Sequence, residues 1–459
     1  MGRRSRLPGY VSRAIVSGGG GGLPSGERDY AYFHSPSGGN IDVINAWRTV
    51  PPWNKTVTSV KTANITEPRP GRFQYEGGAE KPFFVIGSGF CARNPTYTTF
   101  IALAVTKCGL TQQQRRALVD QDKETGGIAT QSRDEQGFSH FAIEVLRPGE
   151  FVELAVSGLN VVGNPSPYLT SRTSVGGGTL SMMELRGSYG CLQDTYDTVA
   201  DSNAQSWVVM GGVTDAYALR EFSSPSSMRL TYLGTATKVF RVMAVFEHGS
   251  TVYSDYGIAK NGSVITESLH DRVSSTGNTG LHTCSALVSL SQNDYVEVYW
   301  KSNGGTYTLY RTQLAFGAIE VGSSYGMLYD LLSTSGASQN SVLAKLTGTT
   351  SLGATVNDFS MPENNRLRYD GATTKKFLVT AQVRFYQAFD SPTLRLYKNG
   401  AQLPGMSQYA ASQTGGNYGI NFSTVVELAQ NDYIELWKSS SDSWTLYGYN
   451  IVASEIVGI

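Results

Sequence analysis

Charge is scarce in this chain. Of 459 residues only 16% are Asp, Glu, Lys or Arg, and 37 basic residues are matched by 37 acidic ones. With no net charge there is no long-range field to draw the chain to nucleic acid or to an anionic membrane surface. Cysteine is scarcer still. Cys91, Cys108, Cys191 and Cys284 show neither metal-ligand spacing nor a framework that recurs along the chain, which points to free thiols of a protein assembled in a reducing cytosol. No apolar run reaches the length of about 18 residues that a membrane-spanning helix needs. Residues 1–17 have no apolar stretch of the kind a signal peptide carries. The five histidines (His34, His140, His248, His270 and His282) are never spaced as metal ligands or as His-x-Glu, so surface or packing roles fit them better than zinc or general-base chemistry. A Gly-x-Ser-x-Gly elbow is missing. Gly18–Gly22 is not followed by Lys-Ser/Thr, which makes it a hinge rather than a phosphate loop. These absences leave little from which to build an enzyme.

What the chain has in quantity is glycine and tyrosine, 51 and 26 residues. Together with abundant Thr, Ser and Val they suit short strands joined by tight turns, and helix-forming stretches are few. An all-β fold is expected, of about three domains by length. An internal repeat supports that number. Arg229-Leu-Thr-Tyr232-Leu-Gly234 is matched 137 residues on by Arg366-Leu-Arg-Tyr369-Asp-Gly371, and Lys260-Asn261-Gly262 is matched 138 on by Lys398-Asn399-Gly400. Gln292-Asn293-Asp294-Tyr295-Val-Glu297 is matched by Gln430-Asn431-Asp432-Tyr433-Ile-Glu435, and Thr308-Leu309-Tyr310 by Thr445-Leu446-Tyr447. The stretch between these blocks repeats as well, from Ser188-Tyr189-Gly190 to Ser324-Tyr325-Gly326, so the copies abut without a linker. The second copy is read as 188–323 and the third as 324–459. A divergent first copy, 25–187, carries Arg72-Phe-Gln-Tyr75-Glu-Gly77, Lys107-Cys108-Gly109 and Phe151-Val-Glu153. It also holds an insertion near 110–137, whose Gln112–Gln136 stretch is expected to form a short helix or a projecting loop. Residues 1–24 form an extended N-terminal arm ending in the glycine hinge.

Within a copy the pattern has period two. Val239, Arg241, Met243 and Val245 alternate with Phe240, Val242, Ala244 and Phe246, as in a strand covered on both faces. Asn-Gly after Lys260 and Lys398 is the preferred pair for a two-residue type I′ hairpin. Six to eight such strands in about 136 residues fit a two-sheet sandwich of jelly-roll type. The series Arg-Leu-x-Tyr-x-Gly, Lys-Asn-Gly, Leu-x-x-Asn-Asp-Tyr-Ile/Val-Glu and Thr-Leu-Tyr resembles the C1q/TNF-like jelly roll, above all the versions in bacteriophage and other viral virion proteins. The resemblance covers copies two and three closely and copy one loosely. It implies trimers that meet through aromatic and apolar faces, and modules whose two termini lie near one end. Three abutting modules of this kind are expected side by side as a pseudo-trimer. Stacked trimers would need connections crossing about 40 Å.

Several residues invite a chemical reading. The Asn-Asp pairs (Asn293/Asp294 and Asn431/Asp432) suit calcium ligands or, more plainly, Asx-turns opening a strand. Glu153, Glu297 and Glu435 recur once per copy, whereas a glycosidase needs two carboxylates across a cleft, so pairing on the strand surface is expected. Tyr299, Trp300, Tyr307, Tyr310, Trp437, Trp444 and Tyr447 are read as core or interface residues, or as platforms for a host-surface glycan. Arg3, Arg4, Arg6 and Arg13 interleave with Tyr10, Val11 and Ile15. That mix suits a peptide that orders on docking to a capsid better than a genome-packaging arm, which carries longer basic runs. Four Asn-x-Ser/Thr sites (Asn54, Asn64, Asn261, Asn421) mean little without a secretion signal.

The expected function is that of a non-enzymatic virion structural protein, of capsid-decoration or head-fibre type, assembled in the host cytoplasm. Its expected partners are other virion proteins, with self-association open, no cofactor, no metal and no nucleic acid. The alternatives are a tail-fibre receptor- or glycan-binding protein and the major capsid protein of a small virus.

Overall fold

In a computed structural model of the chain, residues 29–456 are described except 36–39, 44–47, 50–57, 62–63, 70, 94–99, 109, 112–135, 160–170, 195–198, 204–205, 211–213, 227, 250–253, 274–278, 303–306, 331–336, 340–342, 347, 388–392, 410–415 and 440–443. The arm with Arg3, Arg4, Arg6, Tyr10 and Arg13, the glycine hinge and nearly all of the insertion lie outside the described residues.

The described residues are all-β. They form six antiparallel sheets, and the only helical turn among them is the 3-10 stretch Thr266–Ser268. The sheets come in pairs, each pair drawn from one stretch of chain: 30–184, 189–320 and 325–455. These are called the first, second and third units below. In the second unit one sheet runs Thr214–Arg220, Tyr189–Asp194, Tyr307–Glu320, Lys238–Gly249, Thr279–Leu290; the other runs Phe222–Ser223, Arg229–Tyr232, Tyr295–Ser302, Ser254–Lys260, Ser263–Val264. The same two orders recur in the third unit, with Tyr325–Asp330, Trp444–Glu455 and Lys375–Gln387 at the centre of one sheet and Tyr433–Ser439 at the centre of the other. They recur in the first unit too, where Ser171–Glu184 and Phe151–Leu159 hold the corresponding central places.

Alternation decides what each strand covers. On Lys238–Gly249, Phe240, Val242, Ala244 and Phe246 enter a core shared with Leu230, Ile258, Val298 and Trp300 of the opposite sheet. Phe377, Val379, Ala381, Val383 and Phe385 do the same in the third unit against Leu394, Leu396 and Leu436. Each of the larger of these side chains, Phe, Val, Ile or Leu, contributes roughly 1.5–3 kcal/mol by leaving water. The other face of the same strands is also buried, but by the neighbouring units. One apolar cluster joins Phe84, Ile86 and Phe141 of the first unit, Met243, Val245 and Ala315 of the second, and Leu378 and Ile456 of the third. We call the sheets that supply it inner and the others outer.

Polar ties cross these junctions. Thr179 donates to the Ser423 carbonyl at 3.0 Å, between the first and third units. Arg241, fully buried, donates from one guanidinium nitrogen to the Leu378 carbonyl at 3.1 Å and to Ser454 Oγ at 3.2 Å, and from another to Thr380 Oγ1, between the second and third.

The chain passes between units in four residues, 185–188 and 321–324. Each unit also starts beside its own last strand: Tyr30 pairs with Met183, Tyr189 with Ile319 and Tyr325 with Ser454. Four residues reach at most about 14 Å, whereas the long strands, of up to 14 residues, run on the order of 40 Å. The start of one unit, its end and the start of the next are therefore gathered at one end.

Candidate functional site

The repeated motifs, which are the strongest signals in the sequence, come together in pairs. The arginine of Arg-x-x-Tyr-x-Gly lies across from the glutamate of Tyr/Phe-x-Glu. Nε of Arg72, Arg229 and Arg366 donates to Glu153, Glu297 and Glu435 at 2.9, 2.8 and 2.9 Å. Each guanidinium also covers a ring, of Phe151, Tyr295 and Tyr433, at 3.7, 3.9 and 3.9 Å from its centroid. The glutamates are paired across strands as expected, yet they are buried beneath the arginines and not displayed on the surface. Replacing Glu297 by Gln is expected to lower stability by about 1–3 kcal/mol, because the shape is kept while the charge that holds Arg229 is lost. A urea titration reads this directly, and an unmoved midpoint would show the pair to be idle.

The hairpin and the Asn-Asp turn form a second device. Asn261 and Gly262, and Asn399 and Gly400, all have positive φ, as a type I′ turn requires. Asn261 Nδ2 donates to Asp294 Oδ1 at 2.7 Å, while its Oδ1 accepts from the Tyr295 N–H at 2.9 Å. Lys260 and the Ser291 N–H hold Asp294 Oδ2, both at 2.9 Å. Asn399, Lys398 and the Ala429 N–H repeat this around Asp432 at 2.6–2.9 Å. Burial pushes both aspartates up, but these donors outweigh it and hold them below the usual carboxylate range. Both oxygens of each are thus engaged within the fold, not presented to an ion. The first unit keeps the geometry with other residues: Cys108 takes the positive φ, and Glu150 pairs with Lys107 at 2.7 Å.

Tyr75, Tyr232 and Tyr369 curl over Gly77, Gly234 and Gly371, where a Cβ would fall on the tyrosine ring and hydroxyl. Tyr232 and Tyr369 then donate to the carbonyls of Ala236 and Thr373 at 2.9 and 2.8 Å.

A further cluster gathers around the serine of the repeated Ser-Tyr-Gly block. Lys238 contacts Glu320 at 3.0 Å and Glu221 at 3.1 Å, and Ser188 donates its N–H to Glu320 at 2.7 Å and its hydroxyl to Glu221. Lys375, Glu455, Ser324 and Asp358 repeat it, and Lys81, Glu184 and Asp29 form a shorter version. The Ser188 hydroxyl, followed by Lys238, holds Glu221 below the usual range despite its partial desolvation. The cluster ties the residue just before each unit to that unit's last strand.

The aromatic candidates do not converge. Trp300 and Trp444 are 1% and 3% exposed and belong to the cores of their own units. Tyr299 and Trp437 take corresponding places on the outward face of the outer sheets. Trp437 stacks on Tyr397 at 4.8 Å and donates Nε1 to Glu435 at 3.2 Å. Tyr310 and Tyr447 lie on inner-sheet strands, and the Tyr310 side chain is outside the described residues. So are the five histidine side chains.

Among the described residues no three His, Cys, Asp or Glu gather as a metal site, and no helix is long and apolar enough to cross a membrane. Cys284 is buried and its thiol is pushed up to about 12, whereas Cys108 is exposed at its turn. Among the described residues the Arg–Glu, Asn–Asp and Tyr–Gly motifs each find their partners within their own unit. Comparison with models of known protein families and with curated proteins returns no match for this chain.

Proposed function

We propose that this chain is a non-enzymatic virion structural protein, of capsid-decoration or head-fibre type, whose three tandem C1q/TNF-like jelly rolls form a one-chain pseudo-trimer displayed on an N-terminal docking arm. The observation that supports it best is the apolar cluster built from all three units at once, combined with connections too short to string the units end to end. Resemblance of the repeated motifs to viral jelly rolls supplies the setting. Pairing of the repeated charges within their own units suits a display scaffold better than a reaction centre.

A second reading, a receptor- or glycan-binding tail-fibre head, draws on Trp437, which is half-buried on an outward face and stacks on the buried Tyr397. A major capsid protein is the third.

The test is electron microscopy of the purified chain and of the native particle. The isolated protein is expected as one compact knob, and three beads in a row would sink the pseudo-trimer. Removing residues 1–24 is expected to leave the knob's melting temperature unchanged while abolishing its co-sedimentation with particles. Full retention on the particle would rule out the arm as the mount. A continuous shell made of this chain would favour the capsid reading.

A further inference from the structure

The inner faces of the three units differ in polarity. Lys81–Arg93, Lys238–Gly249 and Lys375–Gln387 hold equivalent places in their sheets, so the side chains they turn away from their own cores compare position by position. These are Phe84 and Ile86 in the first unit, Arg241, Met243 and Val245 in the second, and Leu378, Thr380, Gln382 and Arg384 in the third. Asn421, Ser423, Asn450 and Ser454 add to the third unit's inner face, and all of its polar side chains named here are buried. A permanent interface is apolar at its centre, whereas a polar face tolerates water once uncovered. What apolar hold the third unit has lies beside its tether. Val321 packs there with Leu287, Met327 and Val452, and Ile456 and Leu378 join the three-unit cluster close by.

The seams around the third unit also hold buried polar atoms without a hydrogen-bond partner: Ser181 Oγ, Arg241 Nε, Thr283 Oγ1, Ser285 Oγ, Ser423 Oγ and Asn450 Oδ1. Ser423 and Asn450 belong to the third unit and Arg241 bonds to it. Ser171–Glu184 and Thr279–Leu290, the strands that carry the other three, lie against it. By contrast, Phe84, Ile86 and Phe141 meet Met243, Val245 and Ala315 with side chains that have no nitrogen or oxygen to strand. A group buried without a partner has given up its hydration and regains it when uncovered, which lowers the cost of parting. The hydrogen bonds that cross the seams run from Thr179 to the Ser423 carbonyl, from Arg241 to Thr380 and from the Ala354 N–H to Glu267, and water can replace each of them. A cleft between Glu267 and Leu269 of the second unit and Gln382, Arg384 and Asn450 of the third already enters the seam at its end away from the tether.

We infer that the third unit swings away from the other two as a folded body, turning on residues 321–324 and the apolar contacts beside them, while the first and second units stay joined. The inference rests on the side-by-side arrangement proposed above. Swinging out turns the polar inner face into protein surface, so the molecule has a closed and an open form.

Labelling of thiols in the full chain with N-ethylmaleimide under native conditions, read peptide by peptide, tests this. Ser423→Cys places a thiol between the third and first units, and Ala381→Cys places one in the third unit's own core. The native Cys191, buried in the apolar cluster, reports on the first and second units. Each rate is divided by that of the same thiol in the unfolded chain. Position 423 is then expected to react faster than Cys191 and than position 381 by about tenfold or more. Equal protection at 423 and Cys191 would overturn the swing. So would reaction at 381 as fast as at 423, because the third unit would then be unfolding and not moving. Ready reaction at both 423 and Cys191, with 381 protected, would mean that the three units stand apart, which sinks the side-by-side arrangement as well. Ser285→Cys, on the second unit's side of the seam, carries the same expectation if Ser423→Cys does not fold, and protection there counts against the proposal equally.

Discussion

Arg241→Ala is expected to weaken the junction of the second and third units by about 2–5 kcal/mol, the range for emptying a large buried site, whereas Arg241→Met is expected to be neutral or more stable by about 1–4 kcal/mol. The contrast follows from the residue's surroundings. Arg241 is fully buried and meets a carbonyl and two hydroxyls of the third unit. Its Nε has no partner, and burial alone pushes its pKa down to about 9. A guanidinium without a carboxylate keeps most of its desolvation penalty. Both substitutions remove that penalty and both leave the three third-unit groups without Arg241, but alanine also leaves a cavity, whereas methionine fills the space. Melting of both variants, with sedimentation to exclude aggregation, checks this. If alanine proves as stable as methionine, the junction is looser than the contacts say.

Gly234→Ala is the second. Tyr232 is fully buried, meets Phe240 edge-on and Phe222 at a tilt, and is anchored through its hydroxyl to the Ala236 carbonyl. A methyl group at 234 falls on that ring and hydroxyl, so either the tyrosine leaves its well or the turn moves. Overpacking of this sort costs about 1–3 kcal/mol. The effect should fall on the second unit, with hydrogen exchange quickened in 229–249 and not in 366–387. Gly371→Ala is the mirror experiment. Uniform quickening through both stretches would mean that the units do not melt separately.

Much of this was legible in the sequence, for reasons that can be named. Lys-Asn-Gly and Tyr-x-Gly are visible because backbone sign and ring clearance admit few substitutes at Asn261, Gly262 and Gly234. Arg229 and Glu297 are visible because a buried charge needs a fixed partner. Ser188 opens a repeated block, but its meeting with Glu221, Lys238 and Glu320 stayed hidden: 132 residues separate Ser188 from Glu320, and no local pattern joins the four. Period two showed that Arg241, Met243 and Val245 leave their own core, but not what covers them, since the cover comes from another unit. Trp300 and Trp444 read equally well as core or platform until the opposite sheet was in place.

Arg241 also bears on how such a protein can change over generations. Lys81, Lys238 and Lys375 open equivalent strands, so the third residue after each is equivalent too: Phe84, Arg241 and Leu378. An assembly of three identical chains must place the same side chain at all three positions, and three bare guanidiniums close together would repel. In the proposed one-chain pseudo-trimer that constraint is lifted. Each position mutates alone, and a residue that symmetry would forbid in triplicate becomes tolerable once.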